Sequence, residues 1–318
     1  MIIYHASHEQ YAPSQLIKLA IMAEQAGFQG IHSSDHFHPW SERQGHSGFS
    51  FAWMGAALQA TNIPCGMICA PGQRYHPAIV AQAAATLEEM FPDRFWLELG
   101  SGEAVNERIT GGGWPLKQER NQRLLECAGI IRRLLAGETV THYGKVMVEE
   151  ARLYSLPKKQ PPIIGAALTP ETAAWAGSWA DGLVTVSKPA EELLKVVQAF
   201  HKGGGAGKPM YLKVQLSYAT DEQTAMDGAY DQWRTNVLSG ELAADLWKVA
   251  HFDAVGDYVK PEDLKAQVNI SADLQQHVKW LKAYIDMGFE HLILHNVNKE
   301  QELFIQDFGR GVLPALNL

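Results

Sequence analysis

The densest group of reactive side chains in the sequence is Ser34-Asp35-His36-Phe37-His38-Pro39-Trp40. Imidazole is the side chain best matched to proton transfer near neutral pH, and a carboxylate beside it can fix its tautomer and raise its basicity. Ionisable groups are costly to bury without partners, so their concentration at the end of a strand-like run points to a site. A bland reading stands beside this one: Asp35 caps a turn and His36 satisfies a backbone carbonyl. His36, His38 and His46 with Asp35 could also supply metal ligands. No His-x-His sits on the first strand and no lysine lies at a strand end near the cluster, so no metal ligands are predicted.

A second group, Gly100-Ser101-Gly102-Glu103-Ala104-Val105-Asn106-Glu107, follows another strand-like run. Small residues let backbone approach a flat ring, and Glu103 and Asn106 would add a carboxylate and an amide to the same rim. Ser101 lacks the G-x-S-x-G setting of a hydrolase nucleophile. Its alternative reading is a helix cap. In a third group, Leu168-Thr169-Pro170-Glu171-Thr172, Thr169 and Pro170 make a helix start whose N–H groups could meet a phosphate, although Glu171 would oppose an anion.

These groups need a scaffold that brings strand ends together. Strand-like runs at 2–7, 30–34, 64–70, 95–101, 162–168, 182–187, 210–218 and 291–297 alternate with helical periodicity. Examples are Leu16, Leu19, Ala20, Ala23 and Ala26 closed by Gly27, and a helix from Ser271 as N-cap through Leu274, Val278, Leu281 and Ile285 to Gly288. Eight alternations predict a single (β/α)₈ TIM barrel spanning 1–318, whose functional residues share the carboxyl-terminal rim. An open doubly wound sheet would want a glycine-rich loop after the first strand, where the chain has His8-Glu9-Gln10-Tyr11. Residues 138–156 read as an inserted hairpin around Tyr143-Gly144. Residues 239–270 read as an insertion before the last strand-helix unit. Gly203 to Gly207 read as a flexible connector.

A net charge of −8 without any Lys/Arg cluster argues against a nucleic-acid surface. The amino terminus has no signal-peptide pattern, and no apolar run approaches the roughly 18 residues of a membrane span, so a cytoplasmic location is expected. Cys65, Cys69 and Cys127 form no close Cys-x-x-Cys pair and read as buried reduced thiols.

Several of these motifs together carry a resemblance. Glu9-Gln10-Tyr11-Ala12-Pro13, the run at 34–40, Trp53-Met54, Arg74-Tyr75-x-Pro77-Ala78, the run at 100–107 and Gly288-Phe289-x-His291-Leu292 resemble the luciferase-like flavin/deazaflavin oxidoreductases, especially the branch containing deazaflavin-dependent glucose-6-phosphate dehydrogenase. The resemblance implies a bacterial-luciferase-type barrel that moves hydride between a bound cofactor and a small substrate. It implies that Asp35 and Asn106 hold the ring, that His36 and Glu103 transfer protons, and that Trp40 packs beside the reacting carbon. Glu9 and His38 would support the substrate pocket. Met67, Ile68, Ala70, Ser101, Gly102, Leu168, Thr169 and Thr172 would line the cofactor, with a non-proline cis peptide at Met67-Ile68. It also implies a homodimer.

Two departures from that branch shape the expectation. The threonine and lysine that bind substrate phosphate after strand six are matched to Val186 and Pro189, and 239–270 offers Lys248, Lys260 and Lys265 but no arginine. A phosphate dianion wants several cationic donors, so a neutral alcohol or carbonyl substrate is expected. A glycine pair that meets the cofactor phosphate is replaced by Leu168-Thr169, and the Gly-Ala-Ala-Leu-Thr-Pro-Glu-Thr pattern of 165–172 looks like FMN-using relatives. The cofactor expected is therefore FMN, with deazaflavin coenzyme F420 as the alternative. A monooxygenase supplied by a flavin reductase or other electron donor shares this scaffold. A non-catalytic flavin-binding protein and a metal-dependent barrel hydrolase are the readings from other classes.

Overall fold

A computed structural model describes residues 1–316 of the chain. In chain order its strands are β1 (Ile2–Ala6), β2 (Gly30–Ser34), β3 (Cys65–Cys69), β4 (Phe95–Leu99), β5 (Val140–Tyr143), β6 (Met147–Ala151), β7 (Ile163–Ala166), β8 (Gly182–Val186), β9 (Met210–Ser217), β10 (Asn269–Ile270) and β11 (His291–Asn296). Eight of these run parallel in the order β9-β11-β1-β2-β3-β4-β7-β8, and β8 pairs back onto β9, closing the barrel. β5 and β6 form a separate antiparallel hairpin, and β10 adds a short rung to β9.

The helices are α1 (Pro13–Gln25), α2 (Ser50–Ala60), α3 (Pro77–Met90), α4 (Ala104–Glu107), α5 (Lys117–Leu135), α6 (Pro170–Gly177), α7 (Ala190–Phe200), α8 (Glu222–Trp233), α9 (Gly240–Asp245), α10 (Val249–Gly256), α11 (Leu274–Asp286) and α12 (Gln301–Asp307). Proline starts α1, α3 and α6, where its missing N–H costs nothing. The α1 residues Leu16, Leu19, Ala20 and Ala23 are buried at three- and four-residue spacing, so one apolar stripe faces the sheet. Residues 239–270 hold α9, α10, a 3₁₀ turn and β10. No helix among the described residues is long and apolar enough to cross a membrane, and all three cysteines are buried and free.

Inside the barrel, the layer at the amino ends of the strands is apolar: Ile3, Trp96, Ile164, Val184, Tyr211 and Ile293. Trp96 and Tyr211 stack with ring centroids 5.9 Å apart. The indole of Trp96 lies across Gly66, where a Cβ would sit 1.9 Å from its Cε2, so β3 can supply no side chain here. The next layer toward the carboxyl ends is ionisable, built from His5, His32, Glu98, Lys213 and His295. In that layer His5 Nδ1 lies 2.9 Å from His32 Nδ1, and His32 Nε2 lies 3.1 Å from Glu98 Oε2.

Three local expectations are corrected. The Met67-Ile68 peptide is trans, as are all peptide bonds among the described residues; it lies between β2 and β4 in a two-sided parallel ladder that extended trans backbone satisfies. The Gly203 segment is a tightly packed turn continuing α7 rather than a loose connector. A Cβ on Gly203 would sit 1.9 Å from the Ala174 carbonyl oxygen, and one on Gly205 2.5 Å from the Phe200 ring, so glycine is needed for close approach. The N-cap of α11 is Asp273, whose side chain accepts from the Gln275 N–H, while the Ser271 hydroxyl accepts from the Asp273 N–H.

Candidate active site

The chain leaves β1 through Ser7 and places Glu9 beside the end of β2. Ser7 Oγ donates to Glu9 Oε2 and Ser34 Oγ to Glu9 Oε1, each at 2.8 Å, which fixes the carboxylate plane. His36 Nδ1 lies 2.7 Å from Glu9 Oε1, and His36 Nε2 lies 3.5 Å from Glu103 Oε2, so the imidazole spans two carboxylates from β1 and β4. Asn106 ties this together: its Oδ1 accepts from the Phe37 and His38 N–H groups, and its Nδ2 donates to Glu103 Oε2 at 3.2 Å.

The two carboxylates are driven in opposite directions. Burial would raise the pKa of Glu9, but the His36 charge and its hydrogen bond, with help from Lys213, hold it well below the ordinary range. Glu103 is raised, chiefly by burial, although His36 pulls the other way. His36 is raised because the Glu9 and Glu103 charges and the Glu9 hydrogen bond outweigh the burial that would lower it. Carboxylates whose environments separate their proton affinities are suited to different proton-transfer roles.

Trp40 meets His36 edge-on with centroids 5.0 Å apart and is backed by Phe252 of α10 at 5.2 Å. Asp35 sits beside the site but is engaged: Arg74 and Tyr75 donate to its Oδ2 at 2.9 and 2.7 Å, and Arg74 also pairs with Glu107. Asn106 is likewise occupied with backbone and Glu103. Met67 packs its side chain into the outer core and does not reach the rim. Ile68, Ala70, Gly100, Gly102 and Ala166 form a floor of small or apolar groups. A Cβ on Gly100 would lie 3.8 Å from both Ile68 and Ala166, and one on Gly102, at φ +83°, 3.2 Å from Ala70. His38 is turned outward, its Nδ1 2.7 Å from the Val105 carbonyl, and lines a cavity of about 320 Å³ with Glu42, Trp247 and Lys248.

Thr169 caps α6, accepting from the Thr172 N–H and donating to the Thr172 hydroxyl. Leu168 leans away onto Gly240 of α9, where a Cβ would come within 2.7 Å of its Cδ1.

The motif reading passed over three lysines. Lys117 Nζ donates to Ser101 Oγ at 2.8 Å, Lys188 donates to the Leu168 carbonyl, and Lys213 lies inside the barrel. None has a carboxylate within ion-pair distance among the described residues. Thr185 and Lys188 stand one residue before Val186 and Pro189, so a threonine lies just before the end of β8 and a lysine just after it; the Thr185 hydroxyl is buried without a partner. A lysine interrupting the apolar run of β9 was the available signal for Lys213. No group of three or more His, Cys, Asp or Glu residues among those described is arranged to hold a metal ion.

Comparison with known proteins covers nearly all of the chain. A family model described as luciferase-like monooxygenase matches residues 3–291. The chain is 34% identical to F420-dependent glucose-6-phosphate dehydrogenases of Microbacterium testaceum and Nakamurella multipartita, over 98% of its length and 96% and 95% of theirs. An F420-dependent secondary alcohol dehydrogenase in complex with an F420-acetone adduct superposes with a TM-score of 0.92 at 29% identity, covering 99% of this chain and 98% of that one. These relatives overturn the expectation of FMN and point to the deazaflavin. The steric argument for FMN fails because the Leu168 side chain is turned onto α9 and Thr169 is folded back as a cap. With a closed parallel barrel and a matching family model along most of its length, the chain belongs to the luciferase-like monooxygenase family of oxidoreductases.

Proposed function

We propose that this protein is a deazaflavin (coenzyme F420)-dependent dehydrogenase acting on a hydroxyl-bearing carbon. The observation that carries the reading is His36 held between Glu9 at 2.7 Å and Glu103 at 3.5 Å, at the rim beside a floor of small residues. The residues fit the cofactor. Ile68, Ala70, Gly100, Gly102 and Ala166 can lie against a flat ring, and Lys117 brings a cation without a carboxylate partner to the same rim, suited to an anionic tail. When bound, the deazaflavin supplies a two-electron hydride acceptor or donor.

The chain's own residues manage the proton. Glu9, fixed by Ser7 and Ser34, holds the Nδ1 side of His36 and raises the basicity of Nε2. Unprotonated Nε2 takes the proton of the substrate hydroxyl as its carbon loses hydride. Glu103, a third exposed and with a raised proton affinity, can take the proton from His36 toward solvent. Trp40 walls the site on the side of α10 and limits water access.

Two substrate classes follow from the relatives. Thr185 and Lys188 favour a sugar phosphate such as glucose 6-phosphate, since Thr185 near the end of β8 has a hydroxyl without a protein partner and Lys188 adds an ammonium just beyond the strand. A neutral secondary alcohol is the second reading. It is favoured by the late insertion, which contains no arginine of its own: Lys248 lies over Trp247 at 4.4 Å, as does Arg108 at 4.2 Å, and Arg43 is held by Asp253 at 3.2 Å. The test is to mix the purified protein with F420 and, separately, glucose 6-phosphate and propan-2-ol, following the deazaflavin absorbance. Bleaching with either substrate supports the proposal and selects the class. Bleaching with FMN but not with F420, or with neither, rejects it.

A further inference from the structure

The ionisable layer beneath the site contains one group that is cationic by ordinary chemistry, Lys213 of β9. Strand alternation puts it on the barrel interior: Tyr211, two residues earlier, stacks on Trp96 inside, and Gln215, two residues later, accepts from the Ser187 hydroxyl at 2.9 Å. Around this layer stand His5 of β1, His32 of β2, Glu98 of β4 and His295 of β11, with Glu9, His36 and Glu103 above. The His5 and His295 rings are 4.4 Å apart. TIM-barrel interiors are ordinarily filled by branched apolar residues, so a lysine here has no packing rationale.

The ammonium of Lys213 makes no hydrogen bond and no ion pair within 4.0 Å among the described residues. Three buried polar atoms of the same interior are also without protein partners: His5 Nε2, His295 Nδ1 and Thr185 Oγ1. Lys213 is only partly buried, and an ammonium without a protein partner persists where water or surrounding charge compensates it. The carboxylates of Glu9, Glu98 and Glu103 all act on it electrostatically, while burial lowers its pKa.

We infer that Lys213 is a positioning residue of the His36 site, a counter-charge inside the barrel that offsets the Glu9, Glu98 and Glu103 carboxylates and so limits how tightly His36 holds its proton. The sign is set by geometry. The carboxylates favour the imidazolium, and a cation beneath it opposes them. His5, His295 and His36 all feel Lys213 as a repelling charge. Without it His36 would stay protonated to higher pH and be a poorer acceptor of the substrate proton. This inference rests on the His36 relay proposed above.

The test measures His36 itself, in cofactor-free protein, by following its ring nitrogens during a pH titration of ¹⁵N-histidine-labelled samples. Lys213→Met is expected to displace the His36 midpoint upward by about one pH unit, and Lys213→Arg to leave it near the wild-type value. If Lys213→Met does not fold, Lys213→Gln carries the same expectation. Should both neutral variants fail to fold, Glu98→Gln, which removes a carboxylate facing Lys213, is read on the ¹⁵N-labelled Lys213 ammonium and should lower its midpoint. An unmoved midpoint in a folded variant, or a shift as large in Lys213→Arg as in Lys213→Met, overturns the inference. With F420 and substrate, the alkaline rise of kcat/KM should move upward in step. No turnover in wild type, with the midpoint still displaced by Lys213→Met, would reject the dehydrogenase reading while leaving the electrostatic role standing.

Discussion

Glu9 Oε1 and His36 Nδ1 lie 2.7 Å apart across the ends of β1 and β2, and the pair is buried on the carboxylate side. Its contribution to stability has a defined pH window. The raised pKa of His36 gives stability that is fully present below its ordinary 6.5 and is lost as pH rises through the folded value. The depressed pKa of Glu9 gives stability present above its ordinary 4.5 and lost as pH falls through its folded value. Urea unfolding from about pH 4 to about pH 9 should show wild type exceeding Glu9→Gln most between those ordinary values. A gap that instead widened steadily above neutrality would contradict the ion pair.

His36→Ala removes the group bridging the two carboxylates and leaves the small-residue floor intact. F420 binding, read by absorbance of the retained complex, should stay within about threefold of wild type, while kcat/KM falls by roughly 10²–10⁴-fold. Turnover near the wild-type level would remove His36 from its role.

Arg74 is the cation shared by two buried carboxylates, at 2.9 Å from Asp35 and 3.2 Å from Glu107. Arg74→Met leaves both without their cation, although Tyr75 still donates to Asp35 and the backbone N–H of residue 74 to Glu107, a change that costs about 3–5 kcal/mol in comparable buried pairs. Denaturant titration should show that loss, and a difference under about 1 kcal/mol would mean that Asp35 and Glu107 are satisfied by other donors.

Gly66→Ala would place a methyl 1.9 Å from the Trp96 ring in the closed interior of the barrel. Displacing the indole would also disturb its hydrogen bond to Glu98 Oε1 at 2.9 Å. The expected loss is about 2 kcal/mol or more, with a lower melting temperature. A variant as stable as wild type would show that Trp96 has free space on its other face.

Much of the site was legible because its residues are close in sequence to strand ends. Once eight alternations imply a barrel, His36, Glu103 and Glu9 must share a rim, and the structure brings them together. Asp35 and Asn106 were harder to read. A carboxylate or amide in a motif does not reveal whether its lone pairs are already taken, and here Arg74, Tyr75 and the 37–38 backbone take them. The cofactor expectation failed for a related reason: the identities of Leu168 and Thr169 give their bulk, whereas the packing of α6 and α9 gives its direction.

What the sequence by itself determined is the alternation of elements, the helix start with its cap at Thr169 and Pro170 in the first turn, and the inventory of groups at each strand end, all of which depend on local periodicity and backbone preference. What only the tertiary structure decided is which groups face one another once the barrel closes. The His36 bridge joins β1, β2 and β4, and the placement of Lys213 beneath it joins β9 to them. Those are long-range contacts, fixed by strand register and the inward-outward alternation of the closed sheet, and neither can be read from the residues flanking them.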